Sequence, residues 1–193
     1  MNKTRLEAFS DGVFAIIITI MVLEIKVPHG HNFEDLVVLI PIFLSYVLSF
    51  IYLGIYWNNH HHMMHTVKHV SGTILWANMH LLFWLSLVPF ATAWIGESGF
   101  EAAPMIVYGI CLLLSAIAYF ILQSQIIKQK GELSILKKAI GNDLKGKISP
   151  MIYLIAIFLG WVNPILSGAL YVLVALIWLV PDKRIERTIK EVS

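Results

Sequence analysis

One cysteine, Cys111, stands in the 193-residue chain, and it lies within an apolar run. No intrachain disulfide can form, so cysteine usage says nothing about the compartment. Charge is scarce, at 13% against 58% hydrophobic residues. There is no phosphate-cradling glycine loop, no GxSxG, no HExxH and no CxxC, so no enzyme is expected. Neither a cofactor nor a nucleic acid is expected as a partner. A TVGYG run of the kind that builds a carbonyl-lined ion filter is missing too. No cleavable signal is expected, because acidic residues interrupt the first apolar run and no small-residue cleavage site follows it.

What is present is apolar length. A mean hydropathy of +0.76 exceeds what a soluble domain of this size could bury, so the chain reads as an all-α polytopic membrane protein with the lipid bilayer as its solvent. The apolar segments run over roughly 8–25, 36–57, 74–95, 104–127, 148–162 and 165–180. The first four are long enough to span. The last two are nearer 15 residues than the roughly 20 that a perpendicular crossing needs, so two short crossings and a re-entrant hairpin both remain open.

The placement of lysine and arginine sets the expected orientation. Thirteen of the fourteen basic residues fall at the N-terminus (Lys3, Arg5), after the second segment (Lys68), after the fourth (Lys128, Lys130, Lys137, Lys138, Lys145, Lys147) or in the tail (Lys183, Arg184, Arg187, Lys190). Only Lys26 lies on the other side. A single domain over residues 1–193 with six transmembrane helices follows, both termini cytoplasmic, in the cell (inner) membrane. Glu24, Glu34, Asp35, Glu97 and Glu101 fall in the outer connections. They form either an acidic vestibule that mildly favours cations or ordinary loop surface.

The first segment carries the densest signal. Thr4 and Glu7 have capping-box spacing, which predicts a helix beginning at Thr4. At about 100° per residue, Phe9, Gly12, Ile16, Ile20 and Leu23 share one face, with Thr19 beside them and Asp11 roughly opposite Phe9. This stripe is a packing face or a narrow pore wall, and periodicity does not decide which.

Polar side chains in the next two segments are few. The second ends in YWNNHHHMMH, and His61 and His65, four apart, are the weak candidates for a metal pair; no metal site is otherwise expected. A hydrogen-bonded network tying His60 or His61 to Asp11 or Ser10 is the expectation for this end, with Asn78 and His80 of the third segment extending it. Pro89, followed by Ala91, Thr92 and Ala93, predicts a kink and close helix packing.

Arg5, Phe9, Ser10 and Asp11, spaced RxxxFSD, resemble the signature of the transmembrane protein 175 family of cation channels. Trp57 and His60, spaced WxxH, continue the likeness, as do Asn78 and the run through Pro89 and Phe90. The likeness is close over the first three segments and rests on topology beyond them. It implies a potassium-permeable leak channel, a homotetramer with its pore lined by the first helix of each subunit at the oligomer axis. By position, Ile16 is the constricting isoleucine, Ile20 and Leu23 are further apolar rings, and Thr19 is a pore-adjacent hydroxyl. Arg5, Phe9, Ser10, Asp11, Trp57, His60 and Asn78 are implied to be the structural network behind the pore helix. The triple histidine and His80 go beyond the family pattern.

An apolar ring favours potassium over sodium weakly, because sodium loses its hydration shell at greater cost, and it shuts by dewetting. The resulting expectation is a weakly cation-selective potassium channel that also passes other monovalent cations. The rivals are a proton-coupled or metal-cation carrier using Asp11 and the His60–His65 cluster, and a non-conducting scaffold.

Overall fold

The computed structural model describes residues 2–130, 136–137, 141 and 143–179, and all regular structure among them is helical. The order is α1 (Lys3–Leu23), a 3-10 segment (Phe33–Leu39) that leads into α2 (Ile40–His65), α3 (Gly72–Ser86), α4 (Val88–Ser98), α5 (Ala102–Lys130), α6 (Leu144–Val162) and α7 (Pro164–Leu179). With α3 and α4 counted as one broken segment, these are the six apolar stretches of the sequence. Lys138 and the tail residues Lys183, Arg184, Arg187 and Lys190, on which the orientation partly rests, lie outside the described residues.

Local chemistry fixes the helix ends, and at the first of them it departs from expectation. Asn2, not Thr4, caps α1: its side chain accepts the Thr4 N–H at 3.1 Å, and Glu7 instead pairs with Lys3 at 3.5 Å. An asparagine carbonyl reaches the free N–H groups of a first turn as well as a threonine hydroxyl does, so the helix starts one residue earlier. Ser71 caps α3 in the same way.

Between α3 and α4 the helix breaks after Ser86, and Pro89 then occupies the first turn of α4, where no N–H donor is needed. The kink expected at Pro89 is therefore a change of helix. Gly99 ends α4 at φ 68°, a left-handed position that glycine occupies without strain.

Helices α6 and α7 meet at one residue. Asn163 is extended, and its side chain accepts the N–H groups of Ile165 and Leu166 at 3.0 and 3.2 Å, with Pro164 opening α7. The 19 residues of α6 suffice to cross a bilayer. The 16 described residues of α7 rise about 24 Å, short of a hydrocarbon core of about 30 Å.

The core runs through all the helices, with α5 against α3, α4 and α6, and α2 against α4. Its densest part is aromatic and partly polar. Tyr52 donates to the Tyr171 carbonyl, Tyr171 donates to the Met105 carbonyl at 3.0 Å, and Ser49 bonds both Thr92 at 2.7 Å and Tyr108 at 3.0 Å. These bonds knit α2, α4, α5 and α7 together. In lipid, association rests on such contacts and on close packing, not on expelling water.

Two glycines permit the approach. A Cβ on Gly96 would sit 2.7 Å from the Ile42 Cα, and one on Gly109 would collide with the Tyr171 hydroxyl. Gly109→Ala is therefore expected to cost about 1–3 kcal/mol through overpacking, read as an earlier thermal midpoint in detergent. Gly54→Ala, with nothing within 4 Å of the added carbon, is the control. Equal midpoints for both would remove the Tyr171 contact from the packing account.

Candidate functional site

Helix α1 has two unlike faces. Leu6, Ser10, Phe14, Ile17 and Met21 are buried against the rest of the chain. The stripe read from the sequence lies on the other side: Phe9, Gly12 and Ile20 are exposed, Ile16 is 57% exposed and Leu23 77% exposed. The stripe is thus not the surface by which α1 packs within its own subunit. Thr19 is also exposed, and its hydroxyl donates back to the Ala15 and Ile16 carbonyls at 2.9 and 3.0 Å.

The buried face is held by a directed chain of hydrogen bonds. Ser10 Oγ donates to the Leu6 carbonyl at 2.8 Å, so its oxygen can only accept from elsewhere. Asn78 Nδ2 of α3 donates to it at 3.0 Å, which leaves Asn78 Oδ1 facing His60 Nε2 of α2 at 2.7 Å. The proton of that last bond must therefore sit on His60 Nε2. Ser10 and Asn78 are 0% exposed and His60 is 1% exposed, so three helices are pinned by three buried polar groups that satisfy one another. Phe14 lies 5.8 Å from the His60 ring, centre to centre, and closes this region on its far side.

Asp11 is held separately, its Oδ1 accepting the Trp57 indole N–H at 2.9 Å. It stands about 12 Å along α1 from the first residue of the helix, and the indole supplies it with a donor there. The expected link from His60 or His61 to Asp11 or Ser10 is met only indirectly: His60 reaches Ser10 through Asn78, and Asp11 takes Trp57 and no histidine among the described residues. Arg5 is exposed and makes no hydrogen bond or ion pair among the described residues, and Phe9 lies on the outward stripe. His80 does not extend the network. It accepts the Trp84 indole N–H one turn on, at 2.9 Å.

At the other end of α1, Lys26 donates to Glu97 at 3.0 Å and ties the exit of α1 to the end of α4. The hydrogen bond and charge of Glu97 raise the Lys26 pKa. Between these ends, Ile16 and Ile20 of α1 form an open groove with Ser86, Pro89 and Phe90, and Glu24 lies at its rim. Neither Phe14 nor the tyrosine cluster is marked out by sequence pattern. Their rings look like those of any other membrane residue, and only the His60 contact of Phe14 and the hydrogen bonds of the tyrosines distinguish them.

The sequence profile described as endosomal/lysosomal potassium channel TMEM175 matches residues 5–89. A protein of Chryseobacterium sp. (strain P1-3) named as a potassium channel is 59% identical over 191 residues, 99% of this chain and 100% of that protein. This chain belongs to the TMEM175 family.

The crystal structure titled as a lysosomal potassium-selective channel TMEM175 homolog from Chamaesiphon minutus is similar across the fold, with a TM-score of 0.79, 30% identity, and coverage of 93% of this chain and 97% of that one. Among the animal TMEM175 proteins, the mouse member, named as a proton channel, is 33% identical over 103 residues, 47% of this chain and 21% of its own. The RxxxFSD, WxxH and Asn78 positions all fall inside the residues that the profile matches.

Asn78→Ala is expected to strand His60 and Ser10 and to cost about 1–3 kcal/mol, because a buried polar group without a partner keeps its desolvation penalty. Trp57→Phe should cost less, since water can replace the indole at the exposed Asp11. Thermal melts of both variants in detergent check the order, and a larger loss for Trp57→Phe would reverse it.

Proposed function

We propose that this protein is a potassium-permeable, weakly cation-selective leak channel, built from four copies with the α1 helices around a common axis. The observation that carries this reading is the division of α1. Ser10 and Asp11 are held inside the subunit, by Asn78 and Trp57, and the outward stripe is an apolar row that a single subunit leaves uncovered.

Closed rotational symmetry is the economical way to bring several such rows together. In that arrangement Ile16, Ile20 and Leu23 are successive constricting rings. Thr19 is a hydroxyl at their edge, its oxygen able to accept while its proton stays with the backbone. Ser10, Asp11, Trp57, His60 and Asn78 hold the helix, and Arg5 lies at its entrance. Both termini are assigned to the cytoplasm by the distribution of basic residues. Full-length identity of 59% to a protein named as a potassium channel supports the ion.

A row of isoleucines has no ligands to offer an ion, so selection works through dehydration. Potassium gives up water more readily than sodium and is preferred modestly. The Trp57 indole N–H on Asp11 Oδ1 ties that carboxylate to α2, which supports a holding role for it.

The test is flux from potassium-loaded liposomes containing the purified protein. Passive potassium and rubidium flux without a proton gradient is expected; flux that requires a gradient would make the protein a carrier, and none at all a scaffold. Ile16→Asn should raise sodium permeability relative to potassium, since a polar ring keeps the constriction wet. An unchanged ion preference in that variant takes Ile16 out of the filter.

A further inference from the structure

The histidines outside the pinned chain stand in an arrangement of their own. His61 and His65 are one turn apart on the exposed face of α2, at the end of the bundle where α1 begins. Their ring centres are 5.1 Å apart and their planes cross at 71°. A zinc–nitrogen bond of about 2.0 Å places each imidazole centre about 3.2 Å from the metal, and a tetrahedral angle then separates the two centres by about 5 Å. The pair already has that separation, the spacing that one ion shared between the two rings requires.

We propose that His61 and His65 form a two-histidine site for a borderline transition-metal ion of the zinc class, with water completing the tetrahedron. No group of three or more histidine, cysteine, aspartate or glutamate ligands occurs among the described residues, so the site is an open chelate of moderate affinity and not a structural metal centre.

The site lies against the anchor of α1. His61 stacks on Trp57, with ring centres 6.1 Å apart and planes 30° apart, and the same indole donates to Asp11. An ion on His61 and His65 fixes the His61 ring, and through it the indole that holds Asp11. Bound metal therefore stiffens the attachment of α1 to α2 and lowers ion flux. The site stands without the channel reading, whereas its effect on flux rests on it.

Titration calorimetry of untagged, detergent-solubilised protein with zinc chloride tests the site alone. One zinc per chain is expected. His61→Ala and His65→Ala should each weaken binding by about tenfold or more, because a two-ligand chelate becomes a single-histidine site. His69→Ala, at another exposed histidine, should leave binding unchanged. Both test positions are exposed, and an unaltered gel-filtration profile shows that the variants are folded. Absence of zinc binding by the unaltered protein, or undiminished binding in both variants, overturns the site. In liposomes, zinc is expected to reduce potassium flux through the unaltered protein and not through His65→Ala. Undiminished flux with zinc bound overturns the link through Trp57.

Discussion

The structure turns on the fastening of α1. Three buried polar groups, His60, Asn78 and Ser10, pass hydrogen bonds in one direction from α2 through α3 to α1, and the last proton ends on a carbonyl of α1 itself. In a bilayer none of these groups can turn to water, so the chain of bonds holds both as a contact and as a constraint on rotation. If α1 turned by one residue, Ser10 would leave Asn78 and all three partners would lose their bonds together. The rotational setting of α1 is thereby fixed, and with it the direction in which Ile16, Ile20 and Leu23 point.

The rest of the chain is the frame that holds those three helices in register. Breaking the third segment after Ser86 lets α3 keep Asn78 facing α1 while α4 turns to bring Thr92 to Ser49 and Gly96 to Ile42. Glycine at 109 admits the Tyr171 hydroxyl, which anchors α7 on the first turn of α5. The Lys26–Glu97 pair, exposed and close to water, adds little stability, but it ties the far end of α1 to α4. Helix α1 is thus attached at both ends and along one face, which leaves the opposite face available to other copies of the chain.

That division of labour separates the residues that shape the chain from those assigned to the ion. Polarity is concentrated where helices must not move. The surface proposed to meet the ion has almost none, so selection there depends on the width of an apolar passage and the ease with which an ion sheds water. Polar residues that look functional by type, such as Asp11 and His60, are supports in the proposed arrangement. Apolar ones that look like packing carry the proposed filter.

Much of this was legible in the sequence. Hydropathy and segment length fix the all-helical, multi-crossing class. The RxxxFSD spacing points to the family, and the period of α1 places Phe9, Gly12, Ile16, Ile20 and Leu23 on one stripe. These are local properties, set by residue type and by the pitch of a helix.

What periodicity could not decide was whether the stripe faced inward or outward, since an apolar side chain suits a packed core and a membrane-facing surface equally well. The tertiary structure decided it by showing which groups bury Ser10. It likewise sent Asn78, not Asp11, to His60, turned His80 to Trp84, and placed Asn2 as the cap of α1. Each of these depends on the distance between atoms far apart in the chain or on competition among several suitable partners, and those are set only when the helices pack.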